Sequence, residues 1–350
     1  MGNDDIGGGS AQASKMGPVM GVAIVTFQSA EIVGDCLASL AASLSARFKV
    51  VVLDNASSDG TLAAIRNWAN TQPAGFTFEE AELGSISEAR ADLTVLRSPV
   101  NGGFAYGTNH CLKLLLADPA LDLFWLLNPD ARARPDAARH YIAAASEGPF
   151  GLLGGRTVFA DDPHIIQTDG GRVSRWTGTC TSVNRGEDAA QVAMPEADTL
   201  DYCTGANMVV SRLFVDRCGL MPEDYFLFYE EVEWALRRGN LALRVVPLAI
   251  VEHLGGTSIG TGIVGRRSSP FAQYFSFRGR VRFLRRCFPA SVPLGIVYGL
   301  LKAAQLLTVN RAPVEAWAVL AGSLGLAPPA SVRRRLDPAA QALAFGRTAR

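Results

Sequence analysis

The run from Val19 to Val25 is apolar without a break and ends in Thr26, which predicts a strand buried on both faces. From Ala30 to Leu44 the apolar residues fall at Ile32, Val33, Cys36, Leu37, Leu40 and Leu44, the spacing of an amphipathic helix. The alternation repeats as strand Lys49 to Leu53, helix Thr61 to Ala69, strand Leu93 to Leu96, helix Ala105 to Leu116 and strand Leu121 to Leu127. Strands alternating with helices in this way predict an α/β fold with a mainly parallel, doubly wound central sheet.

From Gly151 to Val210 the periodicity loosens into short strands separated by Gly, Asp and Pro, which predicts an antiparallel extension of that sheet. A helix returns at Tyr229 to Arg238, with Glu230, Glu233, Trp234 and Arg237 on one face. A strand follows at Ala242 to Val246, and His253 lies just beyond it. Residues 1–17 are low-complexity and polar and read as a disordered tail, while a Gly/Ser loop with Arg266 and Arg267 precedes the C-terminal helices. The domain expectation is therefore 1–17 tail, 18–258 catalytic unit with halves 18–130 and 131–258, and 259–350 loop plus helical extension.

Lys plus Arg and Asp plus Glu are equal at 33 each. No global positive field exists to gather a polyanion, so nucleic acid is not expected as a partner. The six cysteines have no C-x-x-C spacing and predict reduced thiols rather than a zinc site. The N-terminal residues lack a charged segment followed by an apolar one, so a cytoplasmic location is expected. The apolar stretch Phe288 to Leu301 carries Pro289 and Pro293 and stops at Lys302, which reads as too short to span a membrane.

An open parallel sheet binds ligands outside the carboxyl ends of its strands, and the residues there are informative. They are Thr26, Phe27 and Gln28 after the first strand, Asp54 and Asn55 after the second, Asn101, Gly102 and Gly103 after the third, and Asn128 and Asp130 after the fourth. Asp54 is placed to accept hydrogen bonds from a base or ribose. The glycines between Asn101 and Asn109 permit positive φ or close approach of backbone to a ligand. Asp130, with Pro129 fixing the turn and Asn128 adding a neutral oxygen, is a hard-cation pattern suited to Mg or Mn on phosphates. His253 is the distant candidate to complete that site. Between Glu223 and Arg237 acids adjoin Tyr225, Phe226, Phe228 and Tyr229, where a carboxyl group should have a raised pKa suited to a general base. Neighbouring helical residues point about 100° apart, so only one of Glu230 and Glu231 can be that base.

Seven segments occur in one order: V-A-I-V-T-F-Q-S-A (22–30), L-D-N-A-S-S-D-G-T (53–61), N-G-G-F-A-Y-G-T-N (101–109), N-P-D (128–130), T-G-A-N-M-V-V (204–210), F-Y-E-E-V-E (228–233) and H-L-G-G-T-S (253–258). Together they resemble the inverting family 2 glycosyltransferases of the GT-A fold, and within them the rhamnosyltransferase-like branch. That resemblance implies a nucleotide-sugar donor, dTDP-rhamnose before UDP-sugars, and a saccharide or lipid-linked saccharide acceptor. Thr26, Phe27, Gln28, Asp54, Asn55, Asn101, Gly102, Gly103, Asn109 and Asn128 would hold the donor, Gly205 and Ala206 the acceptor, and Asp130 and His253 a divalent metal. Glu231 is the preferred base and Glu230 the alternative. The sequence departs from the family where Asn128 replaces an aspartate of the metal motif and Glu231 an aspartate of the acidic one.

Two rivals are a sugar nucleotidyltransferase and an inactive carbohydrate-binding or membrane scaffold protein. The first would want a basic Gly-rich loop after the opening strand, where Gln28-Ser29-Ala30 stands. The second makes no use of Asp54, Asp130, Glu231 and His253 together. In the extension, Arg278, Arg280, Arg282, Arg285 and Arg286 alternate with aromatics before apolar helices. This suits peripheral docking on the inner membrane surface, or else packing and a homodimer interface with Arg278 reaching the donor diphosphate.

Overall fold

The computed structural model describes residues 19–43, 47–255 and 267–346. The expected tail at 1–17 and most of the expected loop after 259 lie outside them. The strands are β1 Val19–Thr26, β2 Arg47–Asp54, β3 Phe78–Glu82, β4 Leu93–Arg97, β5 Leu123–Leu127, β6 Ala131–Ala133, β7 Leu152–Phe159, β8 Ile166–Thr168, β9 Gly171–Val173, β10 Cys180–Ser182, β11 Asn207–Ser211 and β12 Leu243–His253. The α-helices are α1 Val33–Ala41, α2 Thr61–Asn70, α3 Phe104–Leu116, α4 Ala137–Ser146, α5 Arg212–Cys218, α6 Glu230–Leu236, α7 Pro270–Cys287, α8 Val292–Thr308, α9 Pro313–Leu324, α10 Ala330–Arg333 and α11 Pro338–Phe345.

The main sheet runs β3-β4-β2-β1-β5-β11-β7-β12-β6, with β8 beside β7. The strands from β3 to β5 are parallel, β11 runs antiparallel to both β5 and β7, and β12 is parallel to β7. The expected mainly parallel sheet with an antiparallel extension is thus present. Alternate residues of β1 face opposite cores: Met20, Val22 and Ile24 pack with α1 and α2, and Ala23 with α3. Helix α3 lies unusually close to β1, since a Cβ on Gly107 would come within 2.5 Å of Val25.

Beyond the sheet, α7 packs against both α8 and α9, and its aromatic side chains build two satellite cores. Of the five arginines expected to face a membrane, four have partners within the protein, and Arg285 is exposed. Arg280 is buried between the rings of Phe277 and Tyr298, at 4.4 and 4.5 Å. Arg282 and Arg286 pair with Asp224, and Arg278 donates to the Ala344 carbonyl. A second expectation is also corrected. The helical segment does not stop at Lys302 but runs from Pro289 to Thr308, 20 residues of mean hydropathy 1.4. Both prolines sit in opening turns, where a missing N–H costs nothing. By length and composition this helix could cross a membrane, and little of it is buried in the protein.

All six cysteines are free thiols. Burial pushes Cys111 and Cys203 up to about 12, so neither is a nucleophile at neutral pH.

Candidate active site

Because β1 lies between β2 and β5, the carboxyl ends of three parallel strands open onto one place. Two antiparallel pairings bring the distant motifs there. Asn207 at the start of β11 stands opposite Leu127 at the end of β5, and the Asn128 N–H donates to the Ala206 carbonyl at 3.2 Å. The short strand β6 then turns back along β12, setting His253 opposite Ala131. Segments more than a hundred residues apart so share one cavity of about 290 Å³.

Of the expected residues, Phe27, Asn55, Asn101, Gly103, Asn128, Asp130, Gly205, Ala206, Glu230, Glu231 and His253 line that cavity. Others serve it from behind. Asp54 accepts from Thr26 Oγ1 at 2.9 Å, from the Ser57 N–H at 3.0 Å and from Ser57 Oγ at 2.6 Å. Its buried carboxylate thereby shapes the loop after β2. Gln28 bonds Ser58 and the Asp59 N–H, closing the same loop. Asn55 bridges to the glycine segment, donating to the Gly103 carbonyl at 3.0 Å and accepting from the Gly102 N–H at 3.3 Å.

Two more of the expected donor-binding residues do not line the cavity. Asn109 is buried and ties α3 to the segment before α6, donating to the Met221 carbonyl and to Glu223 Oε1, both at 2.8 Å, and accepting from the Met221 N–H. A helix-entry asparagine has a sequence signature that does not distinguish ligand from scaffold. Arg278 does not line the cavity, being held by α11 and stacked near Phe275. The structure adds Phe271, Arg335 and Leu336 from the C-terminal helices to the wall, which no local pattern marks.

Asp130 and His253 form the polar centre. His253 Nε2 lies 3.0 Å from Asp130 Oδ1 and 3.2 Å from Asn128 Nδ2, while Nδ1 lies 2.6 Å from Gln167 Oε1. Gln167 donates its own amide to the His253 carbonyl, so its oxygen accepts from Nδ1–H. Nε2 faces the carboxylate: carrying a proton it donates to Asp130 Oδ1, and without that proton it leaves a nitrogen and an oxygen donor side by side for a cation. Burial raises the Asp130 pKa, but His253 and the backbone N–H groups of Asp130 and Gly255 outweigh it and hold the carboxylate below its usual range. An anionic oxygen beside an imidazole with its second nitrogen anchored fits a divalent cation that takes its other ligands from phosphate. Among the described residues no cluster of three or more His, Cys, Asp or Glu side chains exists to hold a metal without such help.

The acids of α6 sit on a strained approach. Phe226, Phe228 and Tyr229 all have positive φ, at 68°, 68° and 77°, a conformation that costs of order 1–3 kcal/mol per residue unless the surroundings enforce it. Here they do. The Phe226 carbonyl accepts from the Phe104 N–H at 3.2 Å, and the Phe226 ring packs 4.9 Å from Phe275 of α7. Gly103, at φ 90°, makes room: a Cβ there would stand 2.2 Å from the Phe226 oxygen. Arg286 pairs with both Asp224 and Glu233, and Tyr225 donates to Glu233.

The two glutamates differ. Glu230 is 1% exposed and its Oε2 has no hydrogen-bond partner; burial and the neighbouring Glu231 push its pKa well up. Glu231 is partly exposed to the cavity beside Gly205 and Phe104, and burial raises its pKa too. A carboxylate that water can reach and whose pKa is raised can take a proton, whereas Glu230 beside it is almost wholly covered.

Residues 21–177 match the family described as glycosyl transferase family 2. The chain is 19% identical over 275 residues to the low-salt glycan biosynthesis hexosyltransferase Agl10 of Haloferax volcanii, covering 78% of each chain. It superposes on the mannosyltransferase PcManGT of Pyrobaculum calidifontis, a structure in complex with GDP-Man and Mn2+, with a TM-score of 0.51 and 18% identity, covering 93% of this chain and 80% of that one.

Proposed function

We propose that this chain, which carries a glycosyl transferase family 2 domain on a GT-A fold, moves a sugar from a nucleotide-sugar donor to a hydroxyl of a saccharide or lipid-linked saccharide, with inversion. The carrying observation is that Glu231 opens into the same cavity as the Asp130–His253 pair. A single displacement needs these two parts: a group that takes the acceptor proton and a group that stabilises the departing diphosphate.

The nucleoside would lie against Phe27 and Asn55, with the loop behind it fixed by Asp54. Asn101, Gly103 and Gly205 would border the sugar. Asp130 and His253 would hold Mg or Mn, which when bound supplies charge neutralisation on the leaving diphosphate. Glu231 accepts the acceptor's hydroxyl proton as that oxygen forms its bond to the anomeric carbon. The bond from that carbon to the diphosphate breaks on the opposite face, so no sugar–enzyme bond forms and no second catalytic carboxylate is required. Motif resemblance puts dTDP-rhamnose first among donors and UDP-sugars next.

The reading extends to location and partners: the chain acts in the cytoplasm against the inner membrane surface. The support is α8 and α9, which expose Leu294, Val297, Leu301, Val314 and Trp317. Only Lys302, Arg311 and Glu315 are charged from Val292 to Leu324. Exposed apolar stretches of this kind mark interaction surfaces. The decisive test of the chemistry is Glu231→Gln, expected to keep donor binding and lose turnover.

A further inference from the structure

We infer that Arg335, supplied by the turn after α10, is the cation of this cavity that grips a diphosphate group of one of the two substrates. The inference rests on the glycosyltransferase reading above. Three lining residues carry carboxyl groups, namely Asp130, Glu230 and Glu231, and His253 lies beside them. Arg335 is the one arginine or lysine among the described lining residues. A diphosphate entering beside three carboxyl groups needs such a partner, and a planar guanidinium can meet it with two parallel hydrogen bonds.

The position is built. The Arg335 guanidinium lies 5.2 Å over the Phe271 ring and 3.5 Å from Ser269 Oγ. The next residue, Leu336, is buried in one cluster with Phe271, Phe275 and Val332. Arg335 is an exposed residue of the cavity wall, held in place by these neighbours. Neighbouring arginines are placed elsewhere, since Arg333 donates to the Pro328 carbonyl and Arg334 is outside the lining. Arg278, the residue expected from sequence to reach a diphosphate, is turned toward Ala344.

Two substrates could supply the diphosphate, the nucleotide donor or a lipid-linked acceptor. The experiment titrates the full chain with UDP, GDP and dTDP against the free nucleosides, then with farnesyl diphosphate against farnesol, for wild type, Arg335→Ala, Arg335→Lys and the control Arg334→Ala. Loss of one charge-assisted contact should weaken diphosphate binding roughly tenfold in Arg335→Ala. Arg335→Lys should lose less, while nucleoside binding and Arg334→Ala stay unchanged. A loss confined to nucleotides assigns the donor, and a loss confined to farnesyl diphosphate the acceptor. If the wild type binds these diphosphates and Arg335→Ala binds them equally, the inference fails alone. If the wild type binds no nucleotide at all, the glycosyltransferase reading fails with it.

Discussion

Replacing Glu230 and Glu231 by Gln, one at a time, tests which of the two takes the acceptor proton. Glu230 is sealed, has an unpartnered oxygen and has its pKa raised by burial and by Glu231. Its folded pKa therefore lies above its unfolded value of about 4.3. A raised acid contributes its stability fully below the unfolded pKa and loses it as pH climbs through the folded one. Between the two values the native state carries a proton that the unfolded chain does not, so wild-type stability should fall with a slope approaching about 1.4 kcal/mol per pH unit from this group. Glu230→Gln removes that slope. Urea midpoints taken at rising pH from 5 should show the variant gaining on the wild type until the pH passes the folded pKa, with kcat within about tenfold. Glu231→Gln should instead lower kcat by about 100-fold or more, since a general base contributes on that order. Parallel pH–stability curves for wild type and Glu230→Gln, or a crippled Glu230→Gln beside an active Glu231→Gln, would refute the assignment.

Gly103→Ala places a Cβ against the Phe226 carbonyl at a positive φ, and should cost about 2 kcal/mol or more in urea unfolding together with most activity; wild-type values in both would remove the argument that this glycine props the acid-bearing loop. Asp130→Ala should abolish any Mn-dependent rise in Tm with a nucleotide diphosphate, and undiminished turnover in excess chelator would remove the metal from the mechanism. Leu301→Glu combined with Leu307→Glu, both on exposed positions of α8, should end flotation with vesicles of mixed neutral and anionic lipid. A wild-type chain that stays off the vesicles and sediments as a dimer would give that face to a second copy.

Much of this was legible because buried parallel strands and amphipathic helices write their periods plainly, as β1, β2, β4 and β5 do. Strand β3, Phe-Glu-Glu-Ala-Glu, was not, because an edge strand with one side in water can carry three carboxylates. The cavity residues contributed by the strand ends were readable from the rule that ligands bind there. The roles of Asp54 and Asn109 were not, since a polar side chain that holds a loop and one that holds a ligand look alike until its partners are known. The arginines of α7 misled for a related reason. Interleaved basic and aromatic residues suit an anionic surface, yet here the rings of Phe277 and Tyr298 sandwich Arg280 and Asp224 and Glu233 take Arg282 and Arg286. Arg335 reaches the site only through the docking of α7 and α10, which no local pattern encodes.

The central claim is tested most directly by donor hydrolysis: purified full-length chain incubated with dTDP-, UDP- and GDP-sugars, with and without Mn, and assayed for free nucleoside diphosphate. Release is predicted from one donor class, stimulated by Mn and reduced about 100-fold or more by Glu231→Gln. Release from none of them, with no nucleotide bound by the wild type, would contradict it.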